Sequence, residues 1–165
     1  MKRLILALPI TLLLLVATSA EAQIYTTAVG ARLGYPLSAS IKHFVNESVA
    51  LEGYVGLRNW RTYRWANISG AYLVHKPFPD VDNLQYYFGG GGSIYFWNYK
   101  EDFIGDNDAS ISFGLQAYLG LDYTFDDVPI SITLDWIPTL FLNGFGSGFG
   151  GRYGSLGVRY ILPGS

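Results

Sequence analysis

The longest uninterrupted alternation of apolar and polar positions runs from Ile111 to Phe125. Its odd positions are Ile111, Phe113, Leu115, Ala117, Leu119, Leu121, Tyr123 and Phe125. Its even positions are Ser112, Gly114, Gln116, Tyr118, Gly120, Asp122 and Thr124. Successive side chains of a strand point to opposite faces, so a period of two describes a strand with one apolar face and one small or polar face. Strands of soluble domains run to ~5–6 residues, whereas ~9–11 tilted residues cross a bilayer. Phe113 near one end, with Tyr123 and Phe125 at the other, matches the aromatic girdles of a membrane-spanning barrel strand.

Similar patterning predicts eight strands, at 24–35, 39–45, 49–58, 66–76, 84–97, 111–125, 129–139 and 153–162. Eight is a minimal barrel count. The connections at 46–48 and 126–128 read as tight turns and 77–83 as a moderate loop, while 59–65, 98–110 and 140–152 are mostly longer. Outer-membrane barrels keep short turns on the periplasmic side and long loops outside. The first outer connection, around Tyr35-Pro36-Leu37, is short. Gly89-Gly90-Gly91-Gly92 interrupts the fifth stretch, but Tyr86, Phe88, Ile94 and Phe96 hold the same apolar register on both sides. The run therefore reads as a curved, closely packed strand. A phosphate-binding loop would need a Lys-Ser/Thr pair and a following helix.

Charge decides which face points where. Arg32, Lys42, Glu52, Arg58, Asp122, Asp135 and Arg159 all fall opposite the apolar face. If the apolar face meets lipid, these groups enter an interior just wide enough for side chains, where charges must pair. Asp122, Asp135, Arg159 and Arg32 fall on the sixth, seventh, eighth and first strands, which are neighbours in a closed sheet. An interior charge cluster of Arg32, Glu52, Asp122, Asp135 and Arg159 is expected. The opposite arrangement is a soluble periplasmic barrel with its apolar face lining a pocket for a hydrophobic ligand.

The first residues add a compartment. Lys2 and Arg3 precede an apolar run at 4–16, and Ala20-Glu21-Ala22 follows as a cleavage signal. The apolar run is shorter than the ~18 residues of a spanning helix. Removal of 1–22 leaves one domain at 23–165 with 9 basic and 12 acidic residues. There is no basic stripe for nucleic acid. The absence of cysteine excludes disulfides and thiolate metal sites. Twenty glycines with 13 Tyr, 10 Phe and 4 Trp favour a closed antiparallel sheet with aromatic belts.

Ser155-Leu156-Gly157-Val158-Arg159-Tyr160-Ile161-Leu162 resembles the C-terminal assembly signal of outer-membrane barrels, polar-x-Gly-x-x-aromatic-x-apolar. It departs by ending on Leu162 rather than an aromatic residue, and by the added Pro163-Gly164-Ser165. The segments Gly30-Ala31-Arg32-Leu33-Gly34-Tyr35, Ile41-Lys42-His43-Phe44, Leu51-Glu52-Gly53, Tyr86-Tyr87-Phe88-Gly89 and Leu121-Asp122-Tyr123-Thr124-Phe125, with Pro129 and Asp135-Trp136, are similar in style to small outer-membrane barrels of the Bacteroidota type. The resemblance covers nearly the whole of 23–165. It implies an all-β, eight-stranded antiparallel up-and-down transmembrane β-barrel, and it implies no particular activity.

Candidate chemistry is sparse. Lipid A-modifying barrels use a histidine with serine or an acid on the outer rim, but His43 and His75 lie beside the short turns and read as exposed or interfacial. Asp102, Asp106 and Asp108 make one loop acidic without the Gly and terminal Glu of a calcium loop. Trp60, Arg61, Tyr63, Arg64 and Trp65 crowd one outer loop, and Phe141, Phe145, Phe149, Arg152 and Tyr153 another. Arg beside Trp or Tyr suits recognition of sugars, lipopolysaccharide phosphates or a protein; Trp60 and Trp65 also suit a membrane-interface belt. The expectation is a monomeric barrel with a structural or adhesive role. It would use no cofactor, have no transport pore, contact outer-membrane lipid and lipopolysaccharide, and be delivered by the barrel-assembly machinery through Ser155 to Leu162.

Overall fold

The computed structural model describes residues 25–59, 63–99, 110–143 and 148–163. These form ten strand segments: β1 (Thr27–Tyr35), β2 (Leu37–Asn46), β3 (Val49–Asn59), β4 (Tyr63–Pro77), β5 (Leu84–Tyr99), β6 (Ser110–Thr124), β7 (Ile130–Trp136), β8 (Thr139–Phe141), β9 (Gly148–Gly150) and β10 (Gly154–Ile161). Every pairing is antiparallel, and β10 closes on β1. β7 and β8 are one stave, because both pair with β6 in a continuous register, Leu119 with Trp136 and Gln116 with Thr139. Ala117 donates its N–H to the Pro138 carbonyl between them, but Pro138 has no N–H to return, so the ladder is broken there. β9 and β10 form the neighbouring stave, interrupted at 151–153. The result is a closed, eight-stranded, antiparallel β-barrel without helices among the described residues.

Strand limits extend the predicted ones where the pattern was polar. β2 begins at Leu37, separated from β1 by Pro36 alone. β3 and β4 pair up to Asn59 and Arg64, so only 60–62 remain of the expected loop at 59–65. The predicted loop at 140–152 is partly the β8–β9 ladder. The contrast between short and long connections is therefore weaker than the pattern suggested; the expected long connection at 98–110 lies, but for its ends, outside the described residues. The glycine run lies within β5, paired to Leu73, Tyr72, Ala71 and Gly70 of β4.

Polarity is inverted relative to a water-soluble domain. Leu33, Leu57, Ile68, Phe113, Leu119, Leu134 and Tyr160 point outward and are exposed, Leu57 to 65%. Arg159, Lys42, Arg32, Glu52 and Asp122 point inward and are buried, Arg159 to 0% exposure. Soluble monomers rarely expose apolar patches beyond a few hundred Å², and here such residues surround the wall. The soluble pocket arrangement needs the apolar face inside, and the apolar face is outside.

Glycine is required where staves crowd. At Gly120 on β6, a Cβ would lie 2.5 Å from the Tyr87 ring and 2.8 Å from the Leu134 carbonyl. Tyr87 fills the lumen only because that side chain is missing. At outward-facing Gly70 an added Cβ meets nothing within 4 Å.

Candidate functional site

Inward parity on each stave brings Arg32, Glu52, Asp135 and Arg159 to one level of the lumen. Glu52 on β3 crosses the lumen, and its Oε1 accepts from Arg32 Nη1 of β1 at 3.2 Å and from Arg159 Nη2 of β10. Arg32 Nη2 also donates to both oxygens of Asp135, each at 3.0 Å. Asp135 is held further by the Tyr87 hydroxyl at 2.8 Å, and by the Ser155 hydroxyl and backbone N–H at 2.8 and 3.1 Å. Arg159 is completed by Thr133 at 2.7 Å and Ser40 at 3.2 Å. A buried charge is tolerated when its partners replace water, and each guanidinium here has oxygen partners from at least two other staves.

Below this level, toward the turn at 47–48, Lys42 Nζ donates to Asp122 Oδ2 at 3.0 Å and lies 4.5 Å above the Tyr87 ring centre. The Tyr25 hydroxyl donates to the same Asp122 oxygen at 2.9 Å. His75 Nε2 sits 3.4 Å from Lys42 Nζ and 3.8 Å from Asp122, and its ring stacks on Tyr87 at 4.8 Å. His75 is 2% exposed, which corrects the exposed or interfacial reading. The missed signal is parity: Trp65, Asn67, Ser69, Ala71, Leu73 and His75 form one inward row of β4. His43 does face outward, where its Nδ1 meets Thr27 Oγ1 at 2.9 Å. Among the described residues, neither histidine ring is hydrogen-bonded to a serine hydroxyl.

Above the arginines, the Tyr118 and Tyr54 hydroxyls both donate to Gln116 Oε1, at 2.8 and 3.1 Å. At the far rim, Trp65 meets Tyr95 at 5.1 Å, Tyr35 at 5.7 Å and Trp97 at 5.7 Å between ring centres. Phe141 and Tyr153 complete the aromatic plug. Trp65, Phe141 and Tyr153 are therefore lumen residues rather than loop or belt residues. Their bulk is too large to leave the narrow lumen empty, and inward parity sends them there. Arg58 is half-buried, with its guanidinium 4.2 Å above the Tyr35 ring.

Of the expected recognition residues, Arg64 is exposed on the outer wall of β4. Trp60 and Arg61 lie outside the described residues, as do Phe145, Asp102, Asp106, Asp108 and the leader at 1–22; Tyr63 is described only by its backbone place at the start of β4. Phe149 and Arg152 are exposed at the rim. No cluster of three or more metal-ligating side chains occurs among the described residues.

The chain is similar in structure to the N-terminal β-barrel domain of Pseudomonas aeruginosa OprF, with a TM-score of 0.60 and 17% identity over 82% of this chain and 95% of that one. It is also similar to Neisserial surface protein A, with a TM-score of 0.55 and 15% identity over 82% of this chain and 93% of that one. No protein-family model matches the sequence, and neither does any curated protein.

Proposed function

We propose that this chain is a small outer-membrane barrel of a Gram-negative cell, exported by a signal at 1–22 and monomeric. Its role is structural or adhesive, exercised through the loops at the rim that carries 100–109. The observation carrying this reading is the inverted polarity: paired charges inside a filled lumen, and apolar side chains around the outer wall. Lipid makes that wall favourable, and the network makes the lumen tolerable. The strand β10, paired on both sides, carries the segment from Ser155 that we assign to recognition by the assembly machinery. The two solved barrels it resembles are the N-terminal β-barrel domain of OprF and a protein named as a surface protein, and the second name supports the same setting.

Gel mobility of the outer-membrane fraction with and without boiling tests this. A band enriched there that shifts on heating is the expected result. Release by osmotic shock, with no heat shift, sinks the reading.

A further inference from the structure

The outer wall of β3, β4 and β5 carries a built amphipathic groove near the rim that holds the 100–109 connection. Asn59, Arg64 and Asn98 are cross-strand partners in one outward row. The next row down is Leu57, Ala66 and Phe96. The small Ala66 between two large neighbours makes the floor of a groove of about 620 Å³, closed at one side by Leu37 of β2. Arg64 is exposed and has no carboxylate partner among the described residues. A cation flanked by two amides, directly above an apolar trough, is complementary to an amphiphile with an anionic head and acyl chains.

Depth supports the same occupant. Six residues below Arg64 on β4, the outward row is Gly53, Gly70 and Gly92, with no side chains at all. Six residues at ~3.3 Å each span ~20 Å, which a strand tilt of ~35–45° reduces to ~15 Å of depth. That is half of a ~30 Å hydrocarbon core. The wall thus offers a polar anchor at the interface and a shallow bare patch near mid-depth, the separation between an amphiphile's head and its chain ends.

We infer that the β3–β5 wall seats one phosphorylated, multiply acylated glycolipid of the outer leaflet, its phosphate on Arg64 with Asn59 and Asn98, and an acyl chain over Ala66. This rests on the outer-membrane reading above. The test uses the refolded barrel in detergent micelles, with diphosphoryl lipid A and its dephosphorylated form as probes, read by native mass spectrometry. The parent protein is expected to retain one diphosphoryl lipid A and to hold the dephosphorylated form at least about tenfold more weakly, the loss of a charge-assisted contact. R64A should lose about tenfold, A66F should lose the bound lipid by filling the trough, and V158F on the β10 wall should bind as the parent does. Equal binding by R64A and A66F, or equal binding of the two lipids, overturns the seat. Heat-shifted mobility is scored on the same samples. An intact shift without lipid discrimination sinks the seat alone, and an absent shift in the parent protein sinks the membrane reading.

Discussion

Glu52 is the residue on which the lumen's electrostatics converge, because one carboxylate oxygen serves Arg32 and Arg159 together. Among the described cations Asp135 serves Arg32 alone, though with Tyr87 and Ser155 in support. Removing one member of a buried ion pair costs ~3–5 kcal/mol, because the partner keeps its desolvation penalty. Glu52→Gln is expected at or beyond the upper end of that range, since the anion between the two guanidiniums is lost and Asp135, held on Arg32, leaves Arg159 without a carboxylate in direct contact among the described residues. Asp135→Asn is expected at the lower end, since Glu52 still neutralises Arg32. Urea midpoints in micelles compare the two, and an Asp135→Asn midpoint equal to that of the parent protein would rule out a stabilising network. Legibility differed within this cluster. The alternation put Arg32, Glu52, Asp122, Asp135 and Arg159 on one face. The partner of each was not readable, because Glu52 reaches across the lumen to β1 and β10 rather than to its neighbour Lys42.

At the scale of the strand, face and depth set the effect of a substitution. Gly120→Ala on the inner face of β6 pushes a methyl into Tyr87, and overpacking of this kind costs ~1–3 kcal/mol. Gly70→Ala on the outer face of β4 meets open space and should be neutral or stabilise by ~0.4–1 kcal/mol through the unfolded chain. A thermal melt that ranked the two the other way would contradict the assigned faces. On the lipid side, Leu119→Arg near the middle of β6 should cost ~2–4 kcal/mol of folding into bilayers, and Phe125→Arg just beyond its end ~0–1 kcal/mol. Equal costs in a folding titration into vesicles would argue against a membrane-spanning β6. Strand number and inner face were legible at this scale because a period of two survives any strand length. Strand ends were not: cross-strand pairing carried β3 and β4 on to Asn59 and Arg64, where the hydrophobic pattern had stopped.

As a whole, the barrel is filled from rim to rim. Lys42 and His75 occupy one end, Glu52 and the two arginines the middle, and Trp65, Tyr95 and Tyr153 the other. Eight staves leave room for side chains and little else. Planar-bilayer recordings of the purified protein are therefore expected to show no steady open-pore conductance, and a stable ohmic channel would mean the network opens as a unit. The ion pairs lie out of reach of mobile counter-ions, so the denaturation midpoint should respond weakly to salt, unlike that of surface pairs.

Sequence alone determined the architecture and its inversion. A period of two over long stretches, most strand charges gathered on one face and the absence of cysteine leave few ways to close a sheet, since closure must satisfy every backbone edge. Tertiary structure alone decided who meets whom. The stagger between staves sets which inward residues share a level, and that long-range geometry joined Arg32 to Asp135 and stacked His75 on Tyr87. It also drew Trp65, Phe141 and Tyr153 out of apparent loops into the lumen. Side-chain direction is a local property that alternation records, whereas register is a property of the closed sheet that no single segment contains.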